Sequence, residues 1–135
     1  MISELIKKFS IWFPLKEKID TQKNYPKFEE GQIWWCHLGE NLGHEENGKG
    51  DKFLRPVLII KKFNSRLFYG VPTSSIIKEN KYYFKINIKQ QNIAVLLSQM
   101  RAMDANRLLY KQSRLPDTEF ILVKKAMSKI ILGKN

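Results

Sequence analysis

The sequence predicts a mainly β domain with helices: a small, strongly curved barrel of short strands with helical cover. Three observations carry that expectation. Between residues 31 and 97, β-branched and aromatic runs recur, separated by polar, turn-forming stretches. At their centre, Phe53 to Ser75 reads as two strands joined by a tight turn at Asn64-Ser65. After Pro116 the spacing changes to that of a helix.

The chain has 135 residues, the size of one domain, and its 43% hydrophobic and 12% aromatic content can fill a core. A formal charge of +11, from 24 Lys+Arg against 13 Asp+Glu, favours a polyanionic partner: a nucleic acid or an anionic membrane surface. A basic surface that is merely solvated has the same composition. The single Cys36 forms no internal disulfide, so no oxidising compartment is required. The histidines, His37 and His44, make no zinc-ligand pattern, so neither metal nor cofactor is expected. No apolar run is long enough to span a bilayer, and Lys7 and Lys8 interrupt any signal-peptide core. The expected compartment is the cytoplasm.

Taken in order, residues 1–20 place Ile2, Leu5, Ile6, Phe9, Trp12 and Phe13 on one helical stripe, which Pro14 should end or kink. Such a stripe needs cover from this domain or a second subunit; a basic amphipathic segment on a membrane surface is the lesser reading. Residues 20–28, polar and containing Pro26, read as a linker. This divides the chain into an N-terminal helical extension, 1–27, and a barrel domain, 28–135.

Ile33 to Leu38 is the first strand. Alternation puts Ile33, Trp35 and His37 on one face and Trp34, Cys36 and Leu38 on the other. Gly39 to Lys52 then reads as a long, mobile loop; loops of this length are often functional. His44, Glu45 and Glu46 sit at its middle, although a charged, solvated loop tip has the same appearance. Val57 to Ile60 demands burial on both faces. Arg55 opens that strand, and Thr73, Ser74 and Ser75 close its neighbour. In an antiparallel pair these ends meet, so a cation and a row of hydroxyls should share one rim, a combination suited to a phosphate.

Tyr82 to Ile88 and Ile93 to Leu97 are further strands. Lys78, Lys81, Lys85 and Lys89 flank or interleave the first of them. Aromatics between lysines stack bases while lysines hold phosphates, yet lysines also protect an edge strand. The helix after Pro116 carries Phe120, Val123, Lys124, Met127, Ile130 and Ile131 at helical spacing and reads as core cover.

Five segments then resemble one family in order. They are Gly31 to Gly39, the loop Leu42-Gly43-His44-Glu45-Glu46, Arg55-Pro56-Val57-Leu58-Ile59-Ile60, Val71-Pro72-Thr73-Ser74-Ser75, and Leu97 to Asp104 with Arg107-Leu108. They are similar to the first strand, the Gly-x-Glu-Gln loop, the Arg-Pro-Val core, the Pro-x-Thr-Ser/Thr segment and the Gln-Ile-Arg motif of the MazF/PemK toxin endoribonucleases. The likeness covers about residues 28–133.

That resemblance implies an SH3-like barrel, a homodimer, and metal-independent cleavage of single-stranded RNA, with a small acidic antitoxin as protein partner. It assigns catalysis to Arg55 and to a hydroxyl on Ser74 or, with a slipped register, Thr73; the candidate base beside them is Glu45, with His44 the weaker one. It assigns RNA contact to His44, Glu46, Gln99 and Arg101, joined here by Lys78 and Lys81. A structural network at the barrel rim is the plainer reading of Gln99 and Arg101. The chain departs from the family at His37, where Asp is common, at Glu46 in place of Gln, and in its longer loop. Two alternatives stay open: a non-catalytic nucleic-acid-binding (DNA-binding included) or gyrase-inhibiting module of the same fold, and a peripheral membrane protein built on the first helix.

Overall fold

The structure is a computed structural model that describes residues 8–133. Ile2, Leu5 and Ile6 of the expected stripe lie outside those residues. The first helix, α1 (Phe9–Asp20), contains Pro14 and runs on past it. A proline inside a helix costs about 3 kcal/mol, and here burial of Trp12 and Ile19 on either side of it outweighs that cost. Both pack against Phe53, with the Trp12 and Phe53 rings 5.3 Å apart. The cover for the stripe therefore comes at least partly from this same chain. Phe9, Ile11 and Phe13 remain exposed.

The segment after α1 is irregular but not a free linker. Phe28 is fully buried beside Phe68, Lys62 Nζ donates to its carbonyl at 2.8 Å, and the Arg66 guanidinium lies over the Tyr25 ring.

Seven strands follow: β1 (Gln32–His37), β2 (Leu54–Lys62), β3 (Leu67–Ser74), β4 (Tyr83–Ile88), β5 (Gln91–Leu96), β6 (Arg101–Asp104) and β7 (Leu108–Arg114). Their order is β4-β5-β3-β2-β1-β7, all antiparallel, with β6 also paired to β3. Strand β3 organises this sheet. One edge pairs with β2; the other takes β6 along Leu67–Gly70 and β5 at Thr73–Ser74, with a 3₁₀ turn at Leu97–Gln99 between them.

The alternation read from the sequence sorts side chains into two cores. Trp34, Cys36, Leu38, Val57 and Ile59 face one, with Phe28, Phe68 and Met103. Ile33, Leu58 and Ile60 face the other, with Val71, Ile86 and Val95. That second core is completed by Phe120, Val123 and Met127 from α2 (Asp117–Leu132). Helix α2 begins after Pro116 with Asp117 and Glu119 in its first turn and ends at Gly133, whose φ of 71° suits a glycine cap.

The expected fold class holds, but the barrel is open. Edge strands β4 and β7 do not pair, and α2 fills the interior that closure would otherwise seal. Lys89 Nζ reaches the Gln112 carbonyl of β7 at 3.5 Å.

The loop between β1 and β2, expected to be mobile, is bonded onto itself. Leu38 N–H donates to Phe53 O at 2.8 Å, Gly48 N–H to Gly39 O at 2.8 Å, and Asn41 Nδ2 to Leu38 O and Glu46 O. Its entry needs glycine: Gly39 has φ 83°, and an added Cβ would lie 2.3 Å from the Trp12 indole. Gly39→Ala is therefore expected to lower stability by about 1–3 kcal/mol and to unseat Trp12. Denaturant unfolding followed by tryptophan emission checks this; an unchanged midpoint would show that α1 is not clamped there.

Candidate active site

The antiparallel pairing expected for these two strands is found. Val57 pairs with Pro72, which brings Arg55 and Ser74 to the same end of adjacent strands. Arg55, Thr73, Ser74 and Ser75 line one cavity of about 720 Å³. Ile88 and Ile93 line it too and pack on the α2-covered core, so the cavity is the mouth of the open barrel.

Arg55 is 7% exposed, and each of its side-chain nitrogens has a protein partner. Nε donates to Asn47 O at 2.9 Å, Nη1 to Thr73 O at 3.1 Å, and Nη2 meets Glu46 Oε1 at 2.8 Å. The fork thus already grips a carboxylate, the group that most resembles a phosphate in shape and charge. The two hydroxyls differ. Thr73 is buried and its Oγ1 donates to Pro56 O at 3.0 Å, so its proton is committed. Ser74 is half-exposed, and its Oγ accepts from Ile76 N–H at 3.1 Å, which leaves its own proton free.

Glu46 is held in place by Gln99 from the 3₁₀ turn: Gln99 Oε1 accepts from Glu46 N–H at 3.0 Å, and Nε2 donates to His44 O at 3.1 Å. Arg101 Nη1 reaches Asn41 Oδ1 at 3.5 Å. Gln99 and Arg101 thus make the rim network that was one reading of them, and the network holds the loop over the fork. Glu45 turns away: its Oε1 accepts from Leu42 N–H at 2.9 Å on the exposed loop tip, beside His44. Lys78 and Lys81 do not line the cavity; their ammonium groups sit over Tyr83 and Tyr82 on the β3–β4 connection. His37 is buried with Nδ1 on Lys52 O at 2.8 Å, a structural position.

Arg107 anchors the base of the loop, donating from Nη1 to His37 O at 2.9 Å and Leu38 O at 3.3 Å. Burial, then the nearby Arg101 cation, lowers its pKa to about 10, still charged at neutral pH. Burial pushes the Cys36 thiol well above its ordinary range, which makes it an inert core group. Among the described residues, no group of three or more His, Cys, Asp and Glu side chains gathers as a metal site would require.

Residues missed from the sequence complete the cavity, Trp35, Lys49, Gln91 and Gln112, together with Lys89, one of the lysines read as phosphate-holding. Trp35 had a signal, since alternation put it on the face of Ile33. The others come from β5, β7, a hairpin and the loop, and nothing local marks them as neighbours.

A family model described as PemK-like, MazF-like toxin of type II toxin-antitoxin system matches residues 29–131. Among solved structures, MazF from Deinococcus radiodurans superimposes with a TM-score of 0.61 at 19% identity, covering 82% of this chain and 99% of that one. Toxin MazF-mt6 from Mycobacterium tuberculosis does so with a TM-score of 0.57 at 13% identity, covering 77% and 98%. At these identities the structural likeness speaks for the fold. No curated protein matches the chain significantly.

Proposed function

Because the chain belongs to the PemK-like, MazF-like toxin family of type II toxin-antitoxin systems, we propose that it is a metal-independent, sequence-specific endoribonuclease of single-stranded RNA. One observation carries this reading most: the Arg55 fork and the Ser74 hydroxyl share the wall of a cavity wide enough for a nucleotide. In the proposed reaction the substrate's 2′-hydroxyl attacks its own 3′-phosphorus, and the 5′-oxygen of the next nucleotide leaves. The products are a 2′,3′-cyclic phosphate and a 5′-hydroxyl.

Arg55 neutralises the charge that builds on the phosphorane, and Ser74 donates to a non-bridging oxygen. Arginine loses its proton too reluctantly to serve as the acid, so its part is electrostatic, and the leaving 5′-oxygen takes its proton from solvent water. The base is assigned to Glu45. Its carboxylate reaches the substrate only when the loop shifts, and the same shift is needed to lift Glu46 off Arg55. The substrate phosphate then takes the place of the Glu46 carboxylate. Gln99 and Arg101, which hold the loop in the free protein, are assigned to the RNA once it opens, and His44, Lys78 and Lys81 to its flanks.

Membership in the family implies an antitoxin partner. Its acidic segment would compete for the same cations. The homodimer and the cytoplasmic location are proposed on the same footing, and the division into an extension, 1–27, and a barrel domain, 28–135, is proposed because the matched segment begins at residue 29. Among the described residues no helix is long and apolar enough to cross a membrane.

The test is incubation of the purified protein with a long single-stranded RNA in EDTA. Discrete fragments ending in cyclic phosphate are expected. Intact RNA that is retarded on a gel would instead favour the non-catalytic binding module, a reading that the Glu46 carboxylate on Arg55 would also suit.

A further inference from the structure

We propose that the cavity beside Arg55 is a nucleobase subsite, in which Trp35 stacks one base of single-stranded nucleic acid while the amides of Gln91 and Gln112 read its edge. This rests on the nucleic-acid reading of the same site and assigns residues that set its sequence preference.

The cavity opens at the seam of the barrel. Strands β4 and β7 do not pair, and the cavity at that seam is lined by Trp35 of β1, Gln91 and Ile93 of β5 and Gln112 of β7. Trp35 is half-exposed in that wall, and its ring lies 6.2 Å from that of Tyr110, which is 52% exposed. An accessible indole braced by a second ring is a stacking platform, and stacking accepts any base. Choice among bases needs paired donors and acceptors. A carboxamide supplies both on one planar group, and neither the Gln91 nor the Gln112 side chain is spent on a hydrogen bond within the protein.

Charge and backbone point the same way. Lys49 and Lys89 stand in the cavity lining without a carboxylate partner, ready for the phosphates on either side of a stacked base. Lys89 is brought there by an unusual turn. The β4–β5 hairpin places Lys89 at φ 51° and Gln90 at φ 66°, a conformation that ordinarily favours Asn and Gly. The turn carries the Lys89 ammonium across the seam to the Gln112 carbonyl. An apolar peptide side chain would use the indole but would leave the amides and both cations idle, so the lining as a whole fits a nucleotide better.

Short single-stranded DNA oligonucleotides differing in one base serve as uncleavable probes, with binding read by anisotropy at fixed ionic strength. The parent protein is expected to prefer one base. Trp35→Leu should weaken binding about ten-fold or more. Gln91→Ala/Gln112→Ala should flatten the preference among the four oligonucleotides. If the tryptophan variant does not fold, the glutamine pair, which lies outside both cores, decides alone. Parental affinity and parental base preference in both variants would overturn the subsite, as would an absence of any oligonucleotide binding by the parent. RNA left intact by a parent that still binds DNA with a base preference would reject the nuclease and keep the subsite.

Discussion

Arg55→Lys is expected to slow cleavage of single-stranded RNA by about 10²–10³-fold, the usual cost of removing a preorganised donor from a developing oxyanion. The substitution keeps the charge and loses the geometry. The arginine side chain donates from Nε to Asn47 O and from Nη1 to Thr73 O, which aims Nη2 at the position now filled by Glu46. A single ammonium cannot hold both carbonyls and still present a directed donor to a phosphate. Single-turnover cleavage with unfolding measured alongside separates the effects. A rate close to the parent's in a folded variant would remove Arg55 from the chemistry. A rate lost together with the fold would direct attention to Ser74→Ala, whose side chain makes no core contact.

The two adjacent loop glutamates are expected to respond with opposite signs. Glu46 competes with substrate for the fork through a charge-assisted contact, a kind worth about 1.5–3 kcal/mol. Glu46→Gln weakens that competition and should tighten RNA binding by about ten-fold. Glu45 makes only a contact to the Leu42 N–H at the exposed tip. As the base, its replacement by Gln should lower kcat by about 10²–10⁴-fold with little change in binding. Separate measurement of Kd on uncleavable DNA and kcat on RNA distinguishes the two. Equal losses of both quantities in both variants would mean that the loop is only a scaffold. Faster turnover in Glu45→Gln would transfer the base to another group.

The local physics that could be read from residues alone reached a good part of this molecule. Val57 to Ile60 are apolar on successive positions, and such a run is stable only between two cores, which is where it lies. The alternation in β1 separated Ile33 from Trp34, Cys36 and Leu38 correctly for the same reason. Arg55 and Ser74 were placed together because antiparallel pairing dictates which strand ends meet. That α1 continues past Pro14 and that the 20–28 segment is tied down were not legible locally, because both depend on distant partners. Trp12 and Phe53 hold the helix through its proline, and Phe68 and Lys62 hold Phe28.

By itself, then, the order of residues determined β1 to β5 and the composition of the faces of β1 and β2, since those follow from a two-residue period and short turns; β6 and β7, short or mostly polar, were not legible as strands. Only the tertiary structure decided three things: that α2 fills the barrel in place of a closing strand pair, that Gln99 pins a long loop, and that the pinned loop lays Glu46 on Arg55. Each depends on groups more than forty positions apart in the chain or on a cavity between elements. No local spacing encodes a meeting of that kind, because it is set by how complete strands and helices pack.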